Sequence, residues 1–314
     1  MRGFKNVKVY VEGMGVIKTD IGFENGNIAA IGNDLELEEI AKLGEDACLV
    51  PGFIDEHIHG AAKCDTMDAT KEALETIAKA LVKEGTTGFL ATTMTQSPEN
   101  ITNALKNVKE FVGVLRPNEA EVLGVHLEGP FISPDYIGAQ PLEYVAQPSI
   151  ETFKTYQEAS GNNIKIVTIA PEVEGALTLI EYLDKTGVVA SVGHTAAKYE
   201  DVHQAVLNGA TNVTHTYNAQ RPIHHREIGT VGAAFIFDEL YCELICDLIH
   251  LSAPAIKLAI KNKPLDKVTL ITDAMRAKQM PDGEYELGGQ PVIVKNGEAR
   301  LINGTLAGSV FKMN

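Results

Sequence analysis

The sequence predicts an α/β fold: a (β/α)8 TIM-type barrel with a small β-sandwich domain formed from the N- and C-terminal segments. Three observations predict it. From Pro51 onward, short apolar runs alternate with amphipathic helical stretches, the rhythm of β/α units around a parallel sheet. These runs number eight, the count that closes such a barrel. Both ends of the chain instead carry strand-like alternation punctuated by glycine turns. The expected bounds are 1–50 for the first part of the small β domain, 51–276 for the barrel and 277–314 for the second part.

In order, "VKVYVEG" alternates apolar and polar residues, and Asn25-Gly26 marks a hairpin within "GVIKTDIGFENGNIAAIG". The barrel runs are Gly52–Ile58, Thr87–Thr92, Glu121–Glu128, Ile164–Ala170, Val188–Val192, Thr211–His215, Leu240–Asp247 and Lys267–Asp273. Helical patterns lie between them, for example "TKEALETIAKALVKEG", "PENITNALKNVKEFVGVL" and "EGALTLIEYLDKTG". After Met275 the chain returns to β character in "DGEYELGGQPVIVKNGEARLINGTLAG".

Composition narrows the function. The 27 basic and 42 acidic residues give a formal charge of −15, which argues against nucleic acid or an anionic membrane as partner. A local basic pocket for a small anion stays compatible with it. No run of apolar residues is long enough to span a bilayer. Cys48, Cys64, Cys242 and Cys246 form no CxxC pair and no disulfide framework, which points to the reducing cytoplasm.

Catalytic groups of a barrel sit where its strands end at the C-terminal rim. Here the first run ends in His57 and His59, the third in Glu128, the fifth in His194, the sixth in His215 and the eighth in Asp273. Side chains two apart on a strand share a face, so His57 and His59 point the same way, into the barrel mouth. Imidazoles with a carboxylate suit zinc or iron(II) better than magnesium. Each group alone has a plainer reading. A lone His-x-His is usually surface or a satisfied pair, Asp273 alone could cap a helix, and Glu128 alone could be a strand-end charge. Their coincidence on one rim favours a metal site. His126 shares the face of Glu128 and reads equally as a ligand or as a group behind the ligands, whereas His203 reads as helix surface.

These residues in this order resemble the amidohydrolase superfamily. Within it, "PGFIDEHIHG", "HLEGPF", "VGHT", "HTYNAQ", "HHREIG", "ITDAM" and the tail "PDGEYELGGQPVIVKNGEARLINGTLAGS" are similar to the N-acetylglucosamine-6-phosphate deacetylase family, over essentially the whole chain. The resemblance implies hydrolysis of a phosphorylated amino sugar to glucosamine 6-phosphate and acetate. It implies one or two divalent ions, zinc or iron, held by Glu128, His194 and His215, with His57 and His59 as the half that only some members use. Asp273 matches the catalytic base. Substrate contacts fall on Ala139, Gln140, Asn218, Ala219, Arg226, His250, Leu306, Ala307 and Gly308. In the family the arginine reaches a neighbouring subunit's site, so a homodimer is implied; His224 and His225 beside it read as loop surface or ligand contacts.

The chain departs from the family in several places. Members run on beyond "GTLAGSVFKMN", so the last barrel helix and the closing strands of the small domain are expected to be missing, leaving the eighth strand uncovered. Leu248 stands where glycine is usual and is expected to crowd the sugar site or displace His250. Gln220 replaces a methionine and Gln140 a histidine, while Glu56 beside the His-x-His should face away from the mouth. Two alternatives stay open: a truncated or degenerate relative that binds metal or sugar phosphate with little turnover, and an amidohydrolase acting on a different amide.

Overall fold

The computed structural model describes every residue, Met1–Asn314, and divides into two compact units, Met1–Gly52 and Phe53–Asn314. In the first, the strands Arg2–Val11, Gly15–Glu24 and Asn27–Gly32 pair antiparallel around Val7, Val9 and Ile21. Asn25 and Gly26 take φ of 51° and 80°, the two left-handed residues of the hairpin turn that Asn-Gly favours.

The second unit holds the barrel. Its strands, in chain order, are Phe53–Ile58, Thr86–Thr93, Glu121–Glu128, Ile164–Ile169, Val189–Val192, Asn212–Val213, Tyr241–Ile245 and Val268–Ile271. Each pairs in parallel with the next, and the predicted runs overlap all eight. The ring closes through a parallel bridge from Ile58 to Ala274 and a bond from Asp273 N to His57 O at 2.8 Å. Buried Asp55 clamps this seam, its carboxylate accepting from Thr272 Oγ1 at 2.5 Å and Thr272 N at 3.3 Å.

The helices follow from capping and stripe. Thr70 accepts from Ala73 N to start Lys71–Val82, whose Leu74, Ile77, Ala78 and Leu81 fall on one face and are buried. Ser97 caps Pro98–Lys109 with proline in its first turn, and Ser252 caps Ala253–Asn262 in the same way. No helix follows the eighth strand, and the outward-facing Ile54 and Leu270 are 57% and 55% exposed.

The two ends of the chain carry separate sheets. The C-terminal one, Gly283–Leu287, Gln290–Lys295 and Glu298–Leu301, lies inside the second unit. Its Leu287, Val292, Val294 and Leu301 cluster with Met94 and Met275, residues just beyond the ends of the second and eighth strands. This packing holds residues 305–308 over the barrel mouth.

Candidate active site

Three of the rim groups leave extended geometry before they present their side chains. His194, His215 and Asp273 take φ of 47°, 29° and 48°, a region costly for residues with a Cβ. This explains why the sixth and eighth strands stop at Val213 and Ile271, short of the predicted His215 and Asp273. Gly193 is required beside His194, because a Cβ there would lie 2.6 Å from the Thr214 side chain.

The donors converge on one carboxylate. Glu128 Oε1 lies 3.0 Å from His215 Nε2, 3.1 Å from His194 Nε2 and 3.5 Å from His57 Nε2. Glu128 Oε2 lies 3.2 Å from His59 Nε2 and accepts from Gln140 Nε2 at 2.6 Å. Asp273 Oδ1 stands 3.3 Å from His59 Nε2 and 3.6 Å from His57 Nε2. Two groups with metal-binding spacing result, His57–His59–Glu128 and Glu128–His194–His215, sharing Glu128.

Hydrogen bonds behind the rings decide what these atoms can hold. His194 Nδ1 faces the Tyr136 carbonyl at 3.0 Å, so that nitrogen carries the proton and Nε2 a lone pair. His57 Nδ1 faces the Glu243 carboxylate at 3.0 Å, which leaves buried His57 Nε2 with no hydrogen-bond partner. His194 Nε2 and His215 Nε2 lie only 3.1 Å apart. Two imidazole nitrogens and a carboxylate oxygen thus meet at one buried point, the spacing of donor atoms around a shared cation. The donor set therefore fits a divalent metal. A third group of suitable spacing, His57–His126–Glu243, does not fit. His126 is used up, with Nδ1 on the Glu56 carbonyl at 3.1 Å and Nε2 on Thr168 Oγ1 at 2.8 Å.

The titration pattern agrees. Burial works against charge on Glu128 and on Asp273, yet the surrounding imidazoles hold Glu128 well below the carboxylate range and Asp273 at about 2. Burial also opposes charge on His59 and His57, but Asp273 and Glu128 push His59 up to about 10, and Glu128 with Glu243 raises His57. The field at this point favours positive charge, for which protons and a metal ion compete. Burial and then neighbouring His57 drive His126 down to about 4.

A cavity of about 180 Å³ opens above the donors. Of the predicted site residues, His59, Glu128, His194, His215, Asp273, Ala139, Gln140, Asn218, Ala219, His250, Leu306 and Gly308 line it. His57 lies beneath it and Ala307 is buried beside it. Arg226 is exposed on a separate loop against His225 Nε2 at 2.7 Å and does not line the cavity. His250 is oriented by Asp247, Nδ1 to Oδ2 at 2.7 Å. The crowding expected of Leu248 does not occur: its φ of 64° turns it outward, where it is 65% exposed. Glu56 faces away from the mouth, into a recess at the strand starts with Thr211, Asn212 and Thr269. Burial, then the Glu243 carboxylate, raises it to about 7.

The sequence reading missed Glu243. Its signal was the one acid inside the apolar run "YCELIC", on a strand buried on both faces.

A parallel barrel that gathers imidazole and carboxylate donors beneath a cavity at its C-terminal rim defines the class of barrel hydrolases that use a divalent metal. Comparison of sequences specifies the class further: the chain belongs to the amidohydrolase family, whose profile matches residues 48–282. It is 46% identical over 296 residues to the N-acetylglucosamine-6-phosphate deacetylase of Lysinibacillus sphaericus, covering 94% of this chain and 76% of the relative. It is 44% identical over 315 residues to the enzyme of the same name from Bacillus subtilis (strain 168), covering 99% and 80%. The solved structure of a point mutant of N-acetyl-D-glucosamine-6-phosphate deacetylase from Mycobacterium smegmatis, in complex with N-acetyl-D-glucosamine-6-phosphate, superposes with a TM-score of 0.92 at 30% identity. That match covers 100% of this chain and 82% of the other.

Proposed function

We propose that the protein hydrolyses the N-acetyl group of N-acetylglucosamine 6-phosphate to give glucosamine 6-phosphate and acetate. The observation that carries this reading is the sharing of Glu128 by His57, His59, His194 and His215, with Asp273 at the edge of the same cavity. Relatives at 46% and 44% identity bear the corresponding name.

Glu128, His194 and His215 would hold one divalent ion, zinc or iron, and His57 and His59 with Glu128 would hold a second where two are bound. The chemistry such an ion would supply when bound is polarisation of the amide carbonyl and a lowered pKa for water. Asp273 accepts the proton from the attacking water and delivers it to the leaving nitrogen. The water's hydroxyl joins the acetyl carbon as the C–N bond breaks, so acetate and a free amine result without a covalent enzyme intermediate. His250, Asn218, Ala219, Ala139 and Gln140, together with Leu306, Ala307 and Gly308, seat the sugar. Arg226 supplies a guanidinium fork for phosphate. Its exposed position outside its own cavity supports delivery to the site of a second copy, and thus a homodimer. Four free cysteines support a reducing cytoplasm as the compartment. No helix is long and apolar enough to cross a membrane.

The test is acetate release by metal-loaded protein from N-acetylglucosamine 6-phosphate, beside its galacto epimer and the unphosphorylated sugar. The phosphorylated gluco substrate should give the highest kcat/KM. No acetate from it, with metal bound, would refute the reading.

A further inference from the structure

Glu243 lies within the strand Tyr241–Ile245 and is wholly buried. A carboxylate in such a place is costly unless its oxygens are occupied. All its partners belong to the site or stand directly behind it. Oε2 accepts from His57 Nδ1 at 3.0 Å and from the His215 backbone N–H at 3.0 Å. Oε1 accepts from Asn212 Nδ2 at 2.9 Å, and the same amide reaches Ser191 Oγ at 3.0 Å.

Two consequences follow from this geometry. By keeping the His57 proton on Nδ1, the carboxylate leaves the Nε2 lone pair aimed at the cluster, where that atom has no hydrogen-bond partner. By gripping the His215 amide with the same oxygen, it ties the His57 half of the donor set to the His215 half from behind, as Glu128 ties them from the front. Packing of the strand does not need the charge, because Cys242, Leu244 and Ile245 fill the core around it.

We infer that Glu243 is a positioning residue that fixes the tautomer of His57 and the spacing of the two halves of the metal-binding group. The inference rests on the reading that these donors hold a divalent metal. Carboxylates that orient a metal-binding imidazole typically carry about 10–100-fold in metal affinity.

The test uses the full chain, stripped by chelator and titrated with zinc by calorimetry, with elemental analysis of the product. Glu243→Gln keeps the shape and one acceptor oxygen but removes the charge. It should weaken zinc binding at the His57–His59 half by about 10–100-fold. In a His57→Ala background the same substitution should cost much less, only what its grip on the His215 amide contributes. A measurement without any substitution stands beside it: nitrogen-15 spectra of zinc-loaded wild type should show the His57 proton on Nδ1. The inference is overturned by unchanged zinc affinity in Glu243→Gln, by an equal loss in the His57→Ala background, or by a His57 proton on Nε2. Wild type that binds no zinc overturns this inference together with the metal reading; zinc bound equally by wild type and Glu243→Gln overturns this inference alone.

Discussion

Replacing Asp273 by asparagine separates proton transfer from everything else the site does. The side chain keeps its volume and one acceptor oxygen, so its contacts of 3.3 Å to His59 Nε2 and 3.6 Å to His57 Nε2 can persist. Asp273 belongs to neither of the two donor groups that share Glu128, so metal content should be retained. What is lost is a carboxylate held at about 2, ionised at neutral pH and able to take a proton. General-base catalysis contributes about 10²–10⁴-fold. At about 1.4 kcal/mol per decade this raises the barrier by roughly 3–5 kcal/mol. The assay is steady-state acetate release with parallel elemental analysis. We expect kcat to fall by about 10²–10⁴, with KM changed by little and metal unchanged. A kcat within tenfold of wild type, or a loss that follows metal depletion, would refute the assignment.

Other substitutions probe the frame around the site. Lys278 Nζ lies 2.6 Å from Glu84 Oε1 with both side chains buried, so Lys278→Met alone should destabilise by about 3–5 kcal/mol. Adding Glu84→Leu should recover most of that loss in denaturant unfolding. Asp65 is raised to about 6, by burial first, so folding favours its protonated form. That stability is fully present below pH ~4 and lost as pH rises through ~6; Asp65→Asn, still able to cap Met67 N, should gain up to about 3 kcal/mol at pH 7 and nothing near pH 3. Leu248→Gly removes a left-handed residue with a Cβ, at φ 64°, and should change stability by about 0–1 kcal/mol in the favourable direction, read as thermal unfolding temperature.

The barrel was legible because parallel strands buried on both faces write continuous apolar runs, and the donors were legible because catalytic groups cluster at the ends of such runs. Strand lengths were less legible. The exit of His215 and Asp273 into left-handed backbone depends on what the side chains must face, not on local propensity. Gln140 read as a substrate contact only, and its placement between Glu128 Oε2 and Thr95 N needs tertiary structure to be seen. Glu243 was visible as an oddity, one acid in an apolar strand, but its partner His57 lies 186 residues away. Where the C-terminal strands settle was equally hidden, since alternation tells which face is apolar and not which surface will cover it.

Three buried carboxylates approach His57, and their hydrogen bonding separates their work. Glu243 accepts from three protein donors, so little basicity is left for chemistry and it serves to orient. Glu128 faces four imidazole nitrogens and Gln140, the concentration of donor atoms on which the proposed metal reading rests. Asp273 has only the long approaches of His57 and His59, and its side chain keeps 12% exposure at the cavity. Of the three it alone has lone pairs free toward substrate. In the reaction proposed above, its low pKa and its freedom set one order of events: Asp273 would meet substrate ionised, borrow a proton only while the tetrahedral carbon exists, and give it up to an amine far more basic than itself.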